Sequence, residues 1–413
     1  MSHPLSETAV PPHAATATAK AATRATYAAF IWSGVSMASW ASRIPQIRDA
    51  LHLSPSKLGL VLLSIAAGSI LALVGSGHIV ARFGSRKTVT AMAGLLMIAL
   101  AGAASGYHLG VLPVVLSLLL FGFANGAWDV AMNVQGAVVE RAVGRSIMAR
   151  FHAGFSVGTV AGALLGALMV TTHVPVTLHL ALTALVVGVS TIYSVRNFMP
   201  DGAAEHAPAE GGGLAHTLRF WREPRTLLVG LFVLAFALAE GTGIDWISIS
   251  LIDGYQAPAA VGTLAFAVFL AAMTVGRWFG PDLLDRYGRV TVLRVLAVFT
   301  VAGLLLFIFG PNVGTAFLGA ILWGVGTSLG FPVGMSAASD DPKFAAPRVS
   351  VVASIGYCAF LGGPPLIGFL GDHFTVLRSL VAVTALVAVA ALIARAIRPL
   401  PADGEVLAAE HHQ

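Results

Sequence analysis

Long apolar runs separated by short polar segments fill most of the chain. A helix needs roughly 20 apolar residues to cross the hydrocarbon core of a bilayer. Twelve runs reach about that length, which predicts an all-α integral membrane protein with 12 transmembrane helices. The predicted spans are 26–46, 58–80, 88–106, 111–137, 149–172, 176–195, 226–252, 260–281, 290–309, 313–337, 348–370 and 376–396.

The second half of the chain is a weak copy of the first. Arg-Phe-Gly at 82–84, after the second span, matches Arg-Tyr-Gly at 286–288, after the eighth. Phe-Gly at 121–122 matches Trp-Gly at 323–324 at nearly the same offset. Internal repeats of this kind predict two pseudo-symmetric six-helix bundles around a shared cavity, the architecture of a secondary transporter.

The bundles are predicted at 25–196 and 226–397, joined by a cytoplasmic linker at 197–225. The linker contains acidic residues and three consecutive glycines. Residues 1–24 are rich in Ala, Thr, Pro and Ser without an apolar core, which predicts a disordered cytoplasmic tail. Residues 398–413 are predicted to form a second cytoplasmic tail.

Composition and charge agree with a membrane location. Hydrophobic residues make up 57% and charged residues 10% of the chain, whereas soluble domains carry about 25% charge. The net charge of +5 comes from Lys and Arg scattered over short loops, so no nucleic-acid partner is predicted. Placing both termini in the cytoplasm puts most of these residues on the cytoplasmic side, in agreement with the positive-inside rule. The single cysteine, Cys358, excludes a cysteine metal cluster, and no metal site is predicted.

Polar residues within apolar spans are the best candidates for a functional site, because a charge near the bilayer centre costs at least about 2.5–3.5 kcal/mol. Asn125, Asp129 and Asn133 recur every four residues in the fourth span, so they share one helix face. Such a stripe is typical of a cavity wall, with Asp129 as a proton-exchanging group. The alternative is hydrogen bonding that only holds helices together.

The seventh span carries Glu240 and Asp245, which lie about 140° apart on a regular helix. They can face one cavity only if the helix unwinds, which Gly241 and Gly243 would allow. Glu240 is a candidate coupling or substrate-binding residue, or else a neutral structural carboxyl. Asp245 is a candidate gate residue or ion-pair partner.

Two arginines and several tryptophans extend the candidate site. Arg277 either reaches the cytoplasmic interface or pairs with Glu240 or Asp129. Arg43 either binds an anionic group or anchors the outer end of the first span. Four tryptophans lie within spans, where they either stack against substrate or pack in the core: Trp40, Trp128, Trp246 and Trp323. Substrate is predicted to contact the polar stripe of the fourth span on one side and Glu240 with Trp246 on the other.

Two backbone features are also expected. Gly158, Gly162 and Gly166 form a stripe of small residues, predicted to pack against the eighth or another neighbouring span. Pro332, Pro364 and Pro365 are predicted to kink the tenth and eleventh spans.

The loop after the second span, Gly-His-Ile-Val-Ala-Arg-Phe-Gly-Ser-Arg-Lys at 77–87, resembles the Gly-x-x-x-Asp-Arg-x-Gly-Arg-Arg signature of the major facilitator superfamily. Asp-Arg-Tyr-Gly-Arg at 285–289 resembles its counterpart in the second half. The segments at 40–45, 129–136 and 151–153 are similar to bacterial YbjJ-type members of the inner membrane. The resemblance implies twelve helices that work by alternating access, in the bacterial inner membrane.

The resemblance also implies that the two loops act as a gate. The alternative is that their basic residues only determine the orientation of the protein in the membrane. The signature aspartate is replaced by Ala81, so the cytoplasmic gate is expected to depend on Asp285 and Arg286. The candidate gating residues are Gly77, Arg82, Gly84, Arg86, Asp285, Arg286, Gly288 and Arg289.

The sequence therefore predicts a monomeric secondary transporter, and not an enzyme, that moves a small and at least partly polar solute by proton symport. The alternatives are proton-antiport efflux of drugs or metabolites and, less favoured, a membrane receptor that reuses the fold. The sequence lacks a Gly-x-x-x-x-Gly-Lys-Ser/Thr loop, so an ion gradient is the expected energy source and no cofactor is predicted.

Overall fold

The computed structural model describes residues 12–201, 218–341 and 343–400, and helices account for most of them. The main helices are α1 (Pro12–Ala41), α2 (Ile44–Ala50), α3 (Pro55–Phe83), α4 (Ser85–Gly106), α5 (Val111–Val143), α6 (Met148–Thr171), α7 (Val176–Ser194), α8 (Pro224–Tyr255), α9 (Ala259–Tyr287), α10 (Arg289–Phe309), α11 (Val313–Thr327), α12 (Gly330–Ala338), α13 (Ala345–His373) and α14 (Val376–Ile393).

Eleven helical segments of the described residues are long and apolar enough to cross a membrane, with α11 and α12 forming one segment. The predicted all-α membrane fold is therefore confirmed, but the predicted number of 12 spans is not. Helix α1 is long enough to span but is not one of the eleven.

The predicted disordered tail is wrong in part, since α1 begins at Pro12. Residues 12–24 are rich in alanine, the residue with the highest helix propensity, and they extend the first span towards the N-terminus. Residues 1–11, 202–217 and 401–413, which include most of the predicted linker and C-terminal tail, lie outside the described residues.

The kink expected at Pro332 is confirmed as a break between α11 and α12, whereas α13 runs without a break through Pro364 and Pro365. Proline has no N–H to donate, and its ring clashes with the carbonyl four residues earlier, which here belongs to Ser328. The helix is interrupted at that residue. The carbonyl oxygen of Ser328 instead accepts a hydrogen bond of 3.2 Å from Nε of Arg277, in α9.

The internal repeat appears in the backbone. Gly84 and Gly288 end α3 and α9 with nearly the same dihedral angles, φ 81° and ψ 158° against φ 76° and ψ 156°. Both angles lie where residues with a Cβ are rarely found, so these turns require glycine. Helix contacts repeat as well: Gly122 of α5 packs on the backbone of α3, and Gly324 of α11 packs on the backbone of α9.

The two halves meet along α3 with α13 and along α6 with α9. Within the first interface, Gly59 lies against the carbonyl oxygen of Pro364, and Gly368 lies against that of Pro55. The glycine stripe of α6 packs on another neighbouring span rather than on the eighth. Gly158 and Gly162 lie against the backbone of α1, which is the second of the two predicted possibilities.

The described ends of the linker are tied to the bundles. The backbone N–H of Ser85, at the start of α4, donates to the Asp201 carboxylate. At the other end, Glu223 accepts a hydrogen bond of 2.7 Å from Nη2 of Arg348, in α13. The Arg348 guanidinium holds the pKa of the Glu223 carboxyl below its usual range.

We predict that Gly122→Ala lowers the stability of the protein, because a methyl group there would overlap the carbonyl oxygen of Ile65. Overpacking of this kind typically costs about 1–3 kcal/mol. Gly94→Ala is the matched control, since a methyl group at Gly94 meets no atom within 4 Å. Thermal unfolding in detergent should show a lower transition temperature for Gly122→Ala only. Equal transition temperatures for the two variants would contradict the close approach of α3 and α5.

Candidate functional site

A cavity of about 230 Å³ lies between the two halves. Helices α1, α3, α8 and α13 line it, so each half contributes two walls. The aromatic side chains on its surface are Trp40 from α1 and Tyr357 and Phe360 from α13. Leu62 and Ile65 of α3 add apolar surface. The cavity is therefore largely apolar and aromatic.

The two halves are also joined at one end of the bundle. This end contains Arg48, and we call it the Arg48 end. The Arg48 guanidinium, in α2, contacts both carboxylate oxygens of Asp253, at the end of α8, with Nη2 3.1 Å from Oδ1. Ser54 also donates to Asp372 at 3.4 Å. The tight backbone contacts of Gly59 with Pro364 lie on the same side. The structure is thus closed at the Arg48 end.

Among the described residues that line the cavity, Asp245 is the one with a charged side chain. Its carboxylate is half-buried and has no hydrogen-bond or ion-pair partner within the described part of the chain. The expectation that it serves as an ion-pair partner is therefore not met in this conformation. Burying an unpaired carboxylate in apolar surroundings costs free energy. A cationic or proton-donating partner would reduce that cost.

The polar stripe of α5 divides into two environments. Asn125 is half-buried, and its Oδ1 accepts a hydrogen bond of 3.0 Å from Ser33 of α1. Asp129 is exposed, and Asn133 donates to its Oδ1 at 3.3 Å. Tyr357 of the other half lies within electrostatic range of Asp129, so this carboxylate lies near the junction between the halves. Asn125 therefore joins helices, whereas Asp129 and Asn133 face the space between the halves.

Glu240 and Arg277 form an ion pair between α8 and α9, with Nη2 2.8 Å from Oε1. Of the alternatives open for Arg277, the structure shows the pairing with Glu240. The same guanidinium donates to the carbonyl of Ser328, so it bridges three helices. His152 of α6 lies within electrostatic range of Arg277 from the first half.

The unwinding expected at Gly241 and Gly243 does not occur, because α8 is continuous from Pro224 to Tyr255. Gly243 instead accommodates the Phe269 ring of α9, which a side chain would displace. On this regular helix Glu240 and Asp245 point in different directions. Asp245 faces the cavity, and Glu240 faces Arg277.

Of the two alternatives for the tryptophans, packing in the core holds for three of them, whereas Trp40, which is itself 3% exposed, lines the cavity. Trp246, Trp128 and Trp323 are fully buried. Trp323 stacks edge-on against Phe269 and Phe307 and donates to the carbonyl oxygen of Ala239 at 3.2 Å. The predicted contact of Trp246 with substrate is therefore wrong for this conformation, because its ring is enclosed by protein.

Arg43 does not line the cavity, so the expected binding of an anionic group is not met in this conformation, and it anchors the end of the first span through protein contacts. Its side chain is buried at the break between α1 and α2. Nε donates to Nδ1 of His179 at 2.8 Å, and Nη2 donates to the carbonyl oxygen of Val174 at 3.0 Å. Arg43 thus holds the end of α1 to the start of α7.

The candidate gating residues lie at the opposite end of the bundle. Gly77, Arg82 and Arg86 are exposed. Asp285 and Arg286 are also exposed, and neither forms an ion pair within the described ranges, so a gate built on them is not formed here. Arg289 contacts Asp340, which also binds Arg225 at 3.0 Å within the same half.

The aromatic wall of α13 was not anticipated from the sequence. Tyr357 and Phe360 lie in an ordinary apolar run, with no polar residue beside them to mark a site. In the structure α13 packs against α3, where Gly59 lies against Pro364, and both rings line the cavity.

Comparison with known proteins establishes the family. A family model described as Major Facilitator Superfamily matches residues 26–342 and 241–412. An "Uncharacterized MFS-type transporter" of Yersinia pestis is 30% identical over 378 residues, covering 89% of this chain and 94% of that protein. "Uncharacterized transporter y4wD" of Sinorhizobium fredii is 29% identical over 359 residues, covering 86% and 92%. The chain belongs to the major facilitator superfamily; the narrower similarity to YbjJ-type members stays a prediction.

Solved structures agree on the fold. The nucleoside transporter NupG superposes with a TM-score of 0.73 at 15% identity, covering 92% of this chain and 98% of that one. A D-xylose-proton symporter superposes with a TM-score of 0.70 at 14% identity, with the same coverage. At these identities the likeness concerns the fold alone. The protein is thus a multi-pass membrane transporter by family and architecture.

We predict that Arg48→Asp opens the Arg48 end, because it places like charges where an ion pair joins the halves. Exposed pairs are worth up to about 1 kcal/mol, which corresponds to a population shift of roughly fivefold. A cysteine introduced at Ala66, on the cavity wall, in a Cys358→Ser background reports the opening. Its labelling by a membrane-impermeant maleimide should become faster from the Arg48 side.

The exchanged pair Arg48→Asp with Asp253→Arg is the matched control, since it restores opposite charges. It should return the labelling rate towards that of the unaltered pair. A single variant that labels no faster would show that backbone packing alone keeps this end closed.

We predict an interaction free energy between Glu240 and Arg277 of about 1–3 kcal/mol in a double-mutant cycle. Glu240→Gln or Arg277→Gln alone leaves the other charge unpaired within the bundle, which is costly. The double variant should therefore be more stable than the sum of the single effects implies. Thermal unfolding of the four proteins gives the result, and strict additivity would contradict a structural ion pair.

Proposed function

We propose that the protein is a proton-coupled symporter that moves a small, at least partly polar solute by alternating access. The observation that carries this proposal is the cavity between the halves, closed at the Arg48 end and containing an unpaired intramembrane carboxylate. A static receptor has little reason to keep such a group, because its burial is costly. A closure built from one half-exposed ion pair and reversible helix contacts supports opening at that end.

Two carboxylates offer separate places for proton and solute. Asp129 is exposed near the junction between the halves and has only neutral hydrogen-bond partners among the described residues, so it can exchange a proton as the opening changes sides. Asp245 lies in the aromatic cavity and suits solute contact. Glu240 is held by Arg277, which favours a role in holding α8 to α9 over proton exchange.

We further propose that the protein acts as a monomer in the bacterial inner membrane, with both termini in the cytoplasm. The distribution of Lys and Arg supports this orientation. The Arg48 end then faces outward, and the conformation described here opens towards the cytoplasm. The gradient of protons across that membrane supplies the energy.

A second candidate is efflux of lipophilic compounds by proton antiport. The apolar and aromatic lining of the cavity favours it, because such walls bind lipophilic solutes well. The direction of coupling separates the two candidates. A symporter takes up protons together with solute, whereas an antiporter exchanges them.

We predict that solute addition to proteoliposomes acidifies the lumen, as reported by an entrapped pH-sensitive dye. The first panel consists of uridine, L-fucose, D-xylose and 2-phenylethylamine, the first three chosen because similar folds carry nucleosides and sugars. Asp129→Asn should abolish solute-driven proton entry while keeping downhill solute exchange, because an amide cannot carry the proton.

Asp282→Asn is the matched control, since Asp282 is exposed at the far end of α9 and lies outside the cavity. It should retain full proton entry. Full proton entry in Asp129→Asn would reject Asp129 as the coupling group, and alkalinisation on solute addition would favour antiport.

A further inference from the structure

We propose that the cavity between the halves binds a small organic cation, an ammonium group attached to an apolar body, with Asp245 as its counter-ion. The statement that this ligand is the transported solute rests on the proposed function. The binding site itself stands on the geometry of the cavity.

The first observation is a charge imbalance. Asp245 is a carboxylate on the cavity surface, and the described residues that line the cavity include no arginine, lysine or histidine. In the same helix bundle, the Arg277 guanidinium is already paired with Glu240 and with the carbonyl oxygen of Ser328. An ammonium ion is the ligand that would satisfy this carboxylate within low-dielectric walls.

The second observation is the aromatic content of the walls. Tyr357 and Phe360 lie with ring centroids 6.4 Å apart and tilted by 45°, and Trp40 faces the cavity from the other half. Aromatic faces attract cations through their quadrupole, most strongly for tryptophan. The same rings bury apolar carbon. They therefore suit a cation that carries hydrocarbon rather than a hydrated metal ion.

The third observation is the small number of polar groups on the walls. Ser69, the hydroxyl of α3 on the wall, is already committed to the carbonyl oxygen of Gly122 at 3.1 Å. A polyol needs several hydrogen bonds to offset the loss of its water, and apart from Asp245 the described lining offers the Tyr357 hydroxyl and the Trp40 indole N–H. The cavity accordingly favours one charged group with an apolar remainder.

Position also matters for the assignment. Pro364 lines the cavity and also touches Gly59 in the closure of the Arg48 end. A ligand held by Asp245 therefore lies in the cavity next to the Gly59–Pro364 contact, which must separate when the Arg48 end opens. Trp40 and Asp245 come from opposite halves and line the same cavity, so a ligand there lies between the two halves.

The test is equilibrium binding to the purified full-length protein in lipid nanodiscs, with no ion gradient. The probe is 2-phenylethylammonium, and its matched analogues are 2-phenylethanol, which is neutral, and 3-phenylpropanoate, which is anionic. We expect measurable binding of the ammonium and at least about tenfold weaker binding of both analogues. This comparison uses the unaltered protein, so it does not depend on how any variant folds.

Asp245→Asn should weaken ammonium binding at least about tenfold, because the amide keeps the shape but removes the charge. Asp282→Asn, which removes a carboxylate outside the cavity, should bind as the unaltered protein does. Tyr357→Leu should weaken binding more than Tyr357→Phe, which keeps the ring.

Equal binding of the ammonium and the alcohol, or unchanged binding in Asp245→Asn, would overturn the assignment of a cation site. Proton-driven uptake of another solute, without ammonium binding, would remove this inference and leave the proposed function intact. Ammonium binding with the expected dependence on Asp245, but no flux under any gradient, would reject transport and leave the site.

Discussion

Inside a bilayer each polar group must find its partner within the protein, and this constraint organises the centre of the second half. Pro332 removes the donor that would bond the Ser328 carbonyl, so α11 and α12 separate there. Arg277 supplies the missing hydrogen bond from α9, and its own charge is balanced by Glu240 of α8. A single proline thus leads to a connection among three helices, and Glu240 is retained as the partner of that arginine.

Contacts within each half and contacts between the halves both depend on glycine. Helices within each half approach at Gly122 and Gly324, where backbone lies against backbone. Across the junction between the halves, Gly59 and Gly368 make contacts of the same kind, and the Arg48–Asp253 ion pair is added to them. Separation of the halves at the Arg48 end must therefore break backbone packing as well as an ion pair before rigid-body exchange between two openings can occur.

Sequence patterning predicts the membrane class, the positions of nearly all helices and the repeat, because bilayer thickness and helix geometry leave few alternatives. It succeeds at Gly84 and Gly288, where the turn requires positive φ, and at Pro332. It leaves Arg43 open and fails at Trp246, since residue type alone does not say whether a side chain turns towards the cavity or towards a neighbouring helix. It misses Tyr357 and Phe360 because aromatic residues in an apolar span look the same in a core and in a binding site. The Ala-rich start of α1 is missed because its composition resembles that of a disordered segment, although alanine has the highest helix propensity.

The separation of Asp129 from Asp245 bears directly on the mode of coupling. If one carboxylate bound both the proton and a cationic solute, each would exclude the other, and the cycle would exchange them. Two carboxylates on opposite halves, one near the junction between the halves and one among aromatic rings, can be occupied together. When both carboxylates are occupied, two positive charges balance two negative ones, so the protein changes conformation without net charge in the site. When only one carboxylate is occupied, an unbalanced charge remains in the low-dielectric centre. The geometry therefore favours co-transport for a cation held at Asp245, and exchange only if Asp245 itself takes up the proton.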